Sequence, residues 1–201
     1  MDGGFEKTKE FMVGLPSVKG ILMEKNNPYT NYTQLLEKVD EMFRRVQSRH
    51  QDKFSCRKGC HGCCAAGLTV SNVEVRWIER WLSDNPSRLQ KILDGEKMLR
   101  HPHFCELLDE EGQCSIYEVR PLICRSHGMP ISWKDEEASA DPESRDVCPL
   151  NFTGVDLNSL DQSDVISIDH VNVLLSLINR AFDEKLANER YALSEIPNRM
   201  S

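Results

Sequence analysis

Four cysteines fall within nine positions in the stretch CRKGCHGCC, residues 56–64, and the last two are adjacent. Four more stand at Cys105, Cys114, Cys124 and Cys148, so all eight lie between 56 and 148 and the flanking stretches have none. Thiolates are ligands for zinc and for iron–sulfur centres, and close spacing lowers the entropy of gathering several donors on one centre. Cys56, Cys60 and Cys63 leave gaps of three and two residues, one tight turn able to present three sulfurs together. Gly59 and Gly62 suit such a turn, since a backbone wrapped round a metal often needs positive φ. Cys64 does not easily point the same way as Cys63 and is expected to serve a second centre, as a cysteine of one run does in two-cluster ferredoxins.

Eight sulfurs divide into two four-thiolate sites, or into one four-thiolate cluster and a free set. Four thiolates on Zn²⁺ or on a [4Fe–4S]²⁺ cluster carry a net charge of about −2, which calls for positive groups or amide donors nearby. Arg57, Lys58, Arg120 and Arg125 adjoin the cysteines; Lys58 reads as an ordinary surface base, and Arg125, in CRSHG, as a supporting charge. His61 lies inside the tight turn and His127 follows Cys124 by three residues. Either is a candidate ligand or supporting donor, with an exposed or hydrogen-bonded role as the ordinary alternative. A disulfide framework is the rival use of the thiols. Against it, the N-terminal stretch has no apolar signal region, a chain this long does not need staples, and the adjacent Cys63 and Cys64 would strain a bridge.

The elements that must hold these residues read as mainly α, with a small β-hairpin and an irregular cysteine-rich metal-binding centre. Tyr32, Leu35, Leu36, Val39, Met42, Phe43 and Val46 follow the stripe of an amphipathic helix that delivers the chain to the first cysteines. Asn31 with Gln34 is the expected capping pair at its start. A second helix opens at Ser71, where Glu74 completes a capping box, and stops near Asp84. Asn85-Pro86 starts a third, with Leu89, Ile92, Leu93 and Leu99 on one face. Trp77 and Trp81, one turn apart, are expected in the core. FCELLDEEGQCSIY, residues 104–117, reads as a hairpin about Asp109–Gly112 with Leu107 opposite Cys114 and Cys105 on the same face. The polar stretch 134–146 reads as a solvated loop, and 169–188 as a last helix burying Val171, Leu174, Leu175, Ile178, Ala181 and Phe182. The whole reads as a single domain, 1–201: an N-terminal segment 1–30, a helix 31–52, a cysteine-cluster core 54–152, and a C-terminal helix and tail 153–201.

Composition narrows the functions. Asp+Glu at 32 against Lys+Arg at 25 gives a net charge of −7, which argues against general nucleic-acid binding. The longest apolar run, VNVLLSLI, falls well short of the about 20 residues that span a bilayer, so no membrane role and a cytoplasmic, reducing location are expected. There is no Ser-His-Asp set, phosphate-binding glycine loop or HExxH motif, and hence no support for hydrolase or NTPase chemistry.

Two blocks give the chain a family likeness. CRKGCHGCC (56–64) and CSIYEVRPLICRSHG (114–128), the latter fitting C-x-I-Y-x-x-R-P-x-x-C-R, resemble the YkgJ-type cysteine-cluster family of zinc- or iron-chelating domains. The resemblance spans about 54–152 and implies Cys56, Cys60, Cys63, Cys64, Cys105, Cys114, Cys124 and Cys148 as metal ligands. It marks Tyr117, Arg120, Pro121 and Arg125 as signature positions, with Arg120, Arg125 and His127 around the bound group. The expected function is binding of zinc or an iron–sulfur cluster, [4Fe–4S] among the options, in a module that could dock a protein partner. The alternatives are an iron–sulfur enzyme or electron carrier, with a link to protein methylation in related larger proteins, and a thiol redox sensor. Whether the chain is an enzyme stays open at this stage.

Overall fold

A computed structural model describes residues 27–57, 59–95, 98, 99, 101–134 and 143–201. Most of the expected N-terminal segment and the centre of the acidic stretch lie outside these residues, as does Lys58. Helix α1 covers Thr30–Arg49 and buries Tyr32, Leu35, Leu36, Val39, Met42 and Val46, the stripe its periodicity demands. Its cap position is Tyr29 rather than Asn31, which lies inside the first turn. Helix α2, Asn72–Asp84, starts in the expected Ser71/Glu74 capping box. Helix α3, Pro86–Asp94, has proline in its first turn and ends on Gly95 in the left-handed conformation, so Leu99 falls beyond it. A short helix α4 spans Leu122–Ser126 and carries Cys124 and Arg125.

Helix α5, Ile168–Phe182, is shorter than its apolar pattern implies. Asp183 turns extended, at φ −154°, and its carboxylate accepts the Lys185 amide to start a 3₁₀ turn at Glu184–Leu186. Ala181, expected in the core, is exposed.

The strands are short. β1 (Thr69–Ser71) pairs antiparallel with β5 (Arg190–Ala192), which clips the C-terminal segment beside the start of α2. β2 (Ile131–Lys134) pairs antiparallel with β3 (Glu143–Asp146) and parallel with β4 (Ile166–Ser167). The small hairpin is therefore β2–β3, at the flanks of the stretch expected to be a loop. β3 escapes a reading from hydropathy because its polar side chains find partners further along the chain: Arg145 donates to the carbonyls of Leu157 and Leu160.

Residues 104–117 do reverse direction, but without strands. The Asp109 carboxylate accepts the amides of Glu111 and Gln113, and this tight loop shifts the register by one, placing Leu108 rather than Leu107 opposite Cys114.

Among the described residues two apolar clusters form. The larger joins α1, α5, Val73 and Leu122; the smaller joins Val75, Ile78 and Leu82 of α2 to Leu107, Leu108, Ile116, Val119, Leu193 and Ile196. Trp77 packs against both, and Trp81 against the smaller.

Candidate metal centre

All eight cysteines carry free thiols. Local backbone contacts bring distant ones together. From α1 the chain passes a 3₁₀ turn at Gln51–Lys53, and the Phe152 amide bonds the Lys53 carbonyl at 2.8 Å, which lays the Cys148 loop beside Cys56. The Cys105 amide donates to the Cys64 carbonyl at 2.9 Å, and Ala66 donates to His103 at 3.1 Å, so the 101–105 segment runs alongside the first cysteine turn. Gly59, at φ +81°, fits the expectation for that turn, whereas Gly62 is not in the left-handed region. Cys124 is placed by a contact no motif reveals: the second oxygen of the cap residue Glu74 accepts the amide of Leu122, first residue of α4, at 3.1 Å.

Mutual electrostatics sort the thiols into two neighbourhoods. Burial raises the Cys56 thiol pKa, and nearby Cys60, Cys148 and Cys63 raise it further. Cys64 is in the field of Cys114, Cys124 and Cys105. Cys124, pushed up to about 12 chiefly by burial, is also raised by Cys114 and Cys105. Cys114 reaches about 11 for the same first cause, with Cys105 adding to it, and burial likewise raises Cys105. The first set is thus Cys56, Cys60, Cys63 and Cys148; the second is Cys64, Cys105, Cys114 and Cys124. Cys63 and Cys64 join them: the Cys63 thiol donates to the Cys64 sulfur, which raises Cys63 to about 12 and lowers Cys64.

Supporting groups divide similarly. Asn151 Nδ2 donates to Cys56 Sγ at 3.2 Å and to the Gly128 carbonyl at 2.7 Å, while its Oδ1 accepts the Ser55 amide at 2.8 Å. Gly128 sits at φ +90°, and a Cβ there would approach Cys56 Sγ to 3.1 Å. His127 donates to Cys63 and lowers its pKa. Arg120 lies over the Tyr117 ring, 4.3 Å from its centroid, and its charge favours the thiolates of Cys114 and Cys124. Arg125 is used differently. It is buried, pairs with Asp40 of α1, and donates to the carbonyls of Arg120 (3.0 Å) and Glu118 (2.8 Å), tying α4 to α1. His61 bonds the Gly59 carbonyl at 2.9 Å and meets Phe104 edge-on.

Asn151 and Glu74 are the residues that sequence reasoning missed. Asn151 stands three positions past Cys148, a faint signal, and Glu74 was legible only as a helix cap.

The donor set suits zinc or an iron–sulfur cluster in kind: eight free thiols from one segment, with Asn151 and His127 donating to two of them. The side chains do not stand ready-converged, however. Among the described residues no three His, Cys, Asp or Glu side chains group so as to hold a metal ion. A coordinated cation would reverse the burial penalty on the thiolates, since it deprotonates a ligating thiol outright.

Residues 55–149 match the family CxxCxxCC, described as "Putative zinc- or iron-chelating domain". The matched stretch lies over the middle of the chain and includes every cysteine. Chelation of zinc or iron is the function this description supports. No curated protein and no solved structure matches the chain. No helix among the described residues is long and apolar enough to cross a membrane.

Proposed function

We propose that the protein is a thiolate metal-binding module with two centres, one held by Cys56, Cys60, Cys63 and Cys148 and the other by Cys64, Cys105, Cys114 and Cys124. What supports this reading is the mutual influence of eight free thiols: Cys60, Cys148 and Cys63 bear on Cys56, and Cys114, Cys124 and Cys105 bear on Cys64. Zinc or an iron–sulfur cluster would supply the positive charge that offsets thiolates otherwise penalised by burial. The chain's own part is to gather the sulfurs from separate loops, to donate to them from Asn151 and His127, and to hold the Arg120 charge near Cys114 and Cys124. A centre closed by four thiolates contributes folding free energy and organises the long irregular segments around it. The module acts in the cytoplasm, where its thiols stay reduced.

Anaerobic purification, elemental analysis and a visible spectrum test this reading. Two zincs per chain without colour, or iron and sulfide with broad absorption near about 400 nm, support it and identify the metal. Full-length folded protein with neither zinc nor iron defeats it.

A second reading, a thiol redox sensor, draws on the Cys63–Cys64 contact. It requires a metal-poor protein in which mild oxidation modifies these two thiols first.

A further inference from the structure

Leu122 of α4, Met129 of the loop after it, and Val171 and Leu175 of α5 form the apolar wall of a cavity of about 420 Å³, a size within the usual range for small-molecule sites. These four side chains are buried, whereas Asp146 and Arg190, which also line the cavity, are exposed. The cavity therefore has an apolar floor and a charged mouth.

The charges that line it do not cancel. Two carboxylates, Glu74 and Asp146, stand against one guanidinium, Arg190, which leaves one negative charge in excess with His127 counted neutral. Cys63 and Cys148, also on the wall, add no positive charge whether protonated or not. The guanidinium is drawn aside, since Nε and Nη2 of Arg190 donate to the hydroxyl and the carbonyl of Thr69. Glu74 is buried, and Ser71 and Leu122, neutral donors, satisfy its oxygens without cancelling its charge. Asp146 spends only Oδ1, on the Val147 amide. Neither carboxylate is in an ion pair among the described residues. Low-dielectric walls focus such an uncompensated charge on whatever enters.

We propose that this cavity binds a small organic cation with an apolar body: the body rests on Leu122, Met129, Val171 and Leu175, and the positive head stands at the mouth beside Asp146. Burial of the body supplies most of the affinity. The excess carboxylate supplies the preference for positive charge, and an anion of the same body is disfavoured. The site is separate in kind from the thiol chemistry and does not rest on the metal-binding reading.

The experiment titrates benzyltrimethylammonium into the full-length protein with ¹³C-labelled methionine methyls, following the Met129 resonance, which Met129→Leu identifies. The probe's nitrogen has a fixed charge and no lone pair, so its binding cannot be ligation of a metal. A saturable shift at Met129 is expected, with affinity at least about tenfold above that of tetramethylammonium, which keeps the head and lacks the body. Phenylacetate, an anion with the same ring, should bind at least about threefold more weakly, the scale of one partly exposed charge pair. Asp146→Asn, at an exposed position, should remove that preference at unchanged circular dichroism. No saturable shift at Met129, as when another part of the chain or a second copy fills the cavity, overturns the inference. So does phenylacetate binding as tightly as the cation, or an Asp146→Asn protein that keeps the full preference. All three outcomes leave the metal-binding reading standing.

Discussion

Asn151 donates its side-chain amide to Cys56 Sγ at 3.2 Å, across 95 positions of sequence. The same amide group bonds the Gly128 carbonyl at 2.7 Å, and its oxygen accepts Ser55 at 2.8 Å, so one buried side chain joins three loops at the first thiol set. Asn151→Ala leaves these partners without it and is expected to cost about 2–3 kcal/mol, read from the urea midpoint. Asn151→Asp replaces the donor facing the sulfur with an acceptor. It should lower metal at the first centre and leave the second occupied, as total metal and peptide protection would show.

Gly128 adjoins the same contact. At φ +90°, with only 3.1 Å between a built Cβ and Cys56 Sγ, Gly128→Ala meets both backbone strain and crowding. A loss of about 1–3 kcal/mol is expected. The comparison is Gly154→Ala, which shares positive φ (+76°) but has open space around it and should cost less.

Glu74 is buried and accepts from the Ser71 amide at 2.8 Å, the Ser71 hydroxyl at 2.7 Å and the Leu122 amide at 3.1 Å. It couples the cap of α2 to the start of the helix that carries Cys124. Glu74→Ala should destabilise by about 3 kcal/mol, since it removes a cap and strands a buried amide. Metal at the second centre should fall with it. Glu74→Gln keeps an acceptor and should lose less on both counts, as chemical denaturation and elemental analysis would check.

Arg125 distinguishes a clamp from a metal-supporting charge. Its contacts run to Asp40 and to the carbonyls of Glu118 and Arg120. Arg125→Met is expected to cost about 2–3 kcal/mol through the stranded partners, with metal per folded chain unchanged. A loss of metal at full stability would restore the reading of Arg125 as a supporting charge. Arg120→Met should do the reverse, weakening retention at the second centre with a smaller effect on the denaturation midpoint.

The two proposed centres should empty independently. Cys148→Ser and Cys114→Ser are each expected to remove about half of the metal, and the double variant nearly all of it. Chelator should lower helical circular dichroism as metal is lost, because ligation contributes to folding free energy.

What could be read in advance follows from the range of the interactions. The stripe of α1, the Ser71/Glu74 box and the Pro86 start of α3 are local, set by contacts within one or two helical turns, and they stand where the residues place them. The hairpin register failed by one residue because the Asp109 carboxylate organises its own loop. β3 was invisible because its polar side chains find partners far along the chain.

By itself the sequence determined the inventory: eight thiols confined to one segment, the motif blocks around them and the helical framework. Only the tertiary structure decided which thiols are neighbours. Cys148 stands near Cys56, and Cys105, Cys114 and Cys124 near Cys64, because of the Asn151, Lys53–Phe152, Cys64–Cys105 and Glu74–Leu122 contacts. Each joins residues tens of positions apart, and no local propensity encodes such a pairing. The same holds for the cavity that Cys63, Cys148 and His127 line, since its apolar wall is assembled from separate helices and loops.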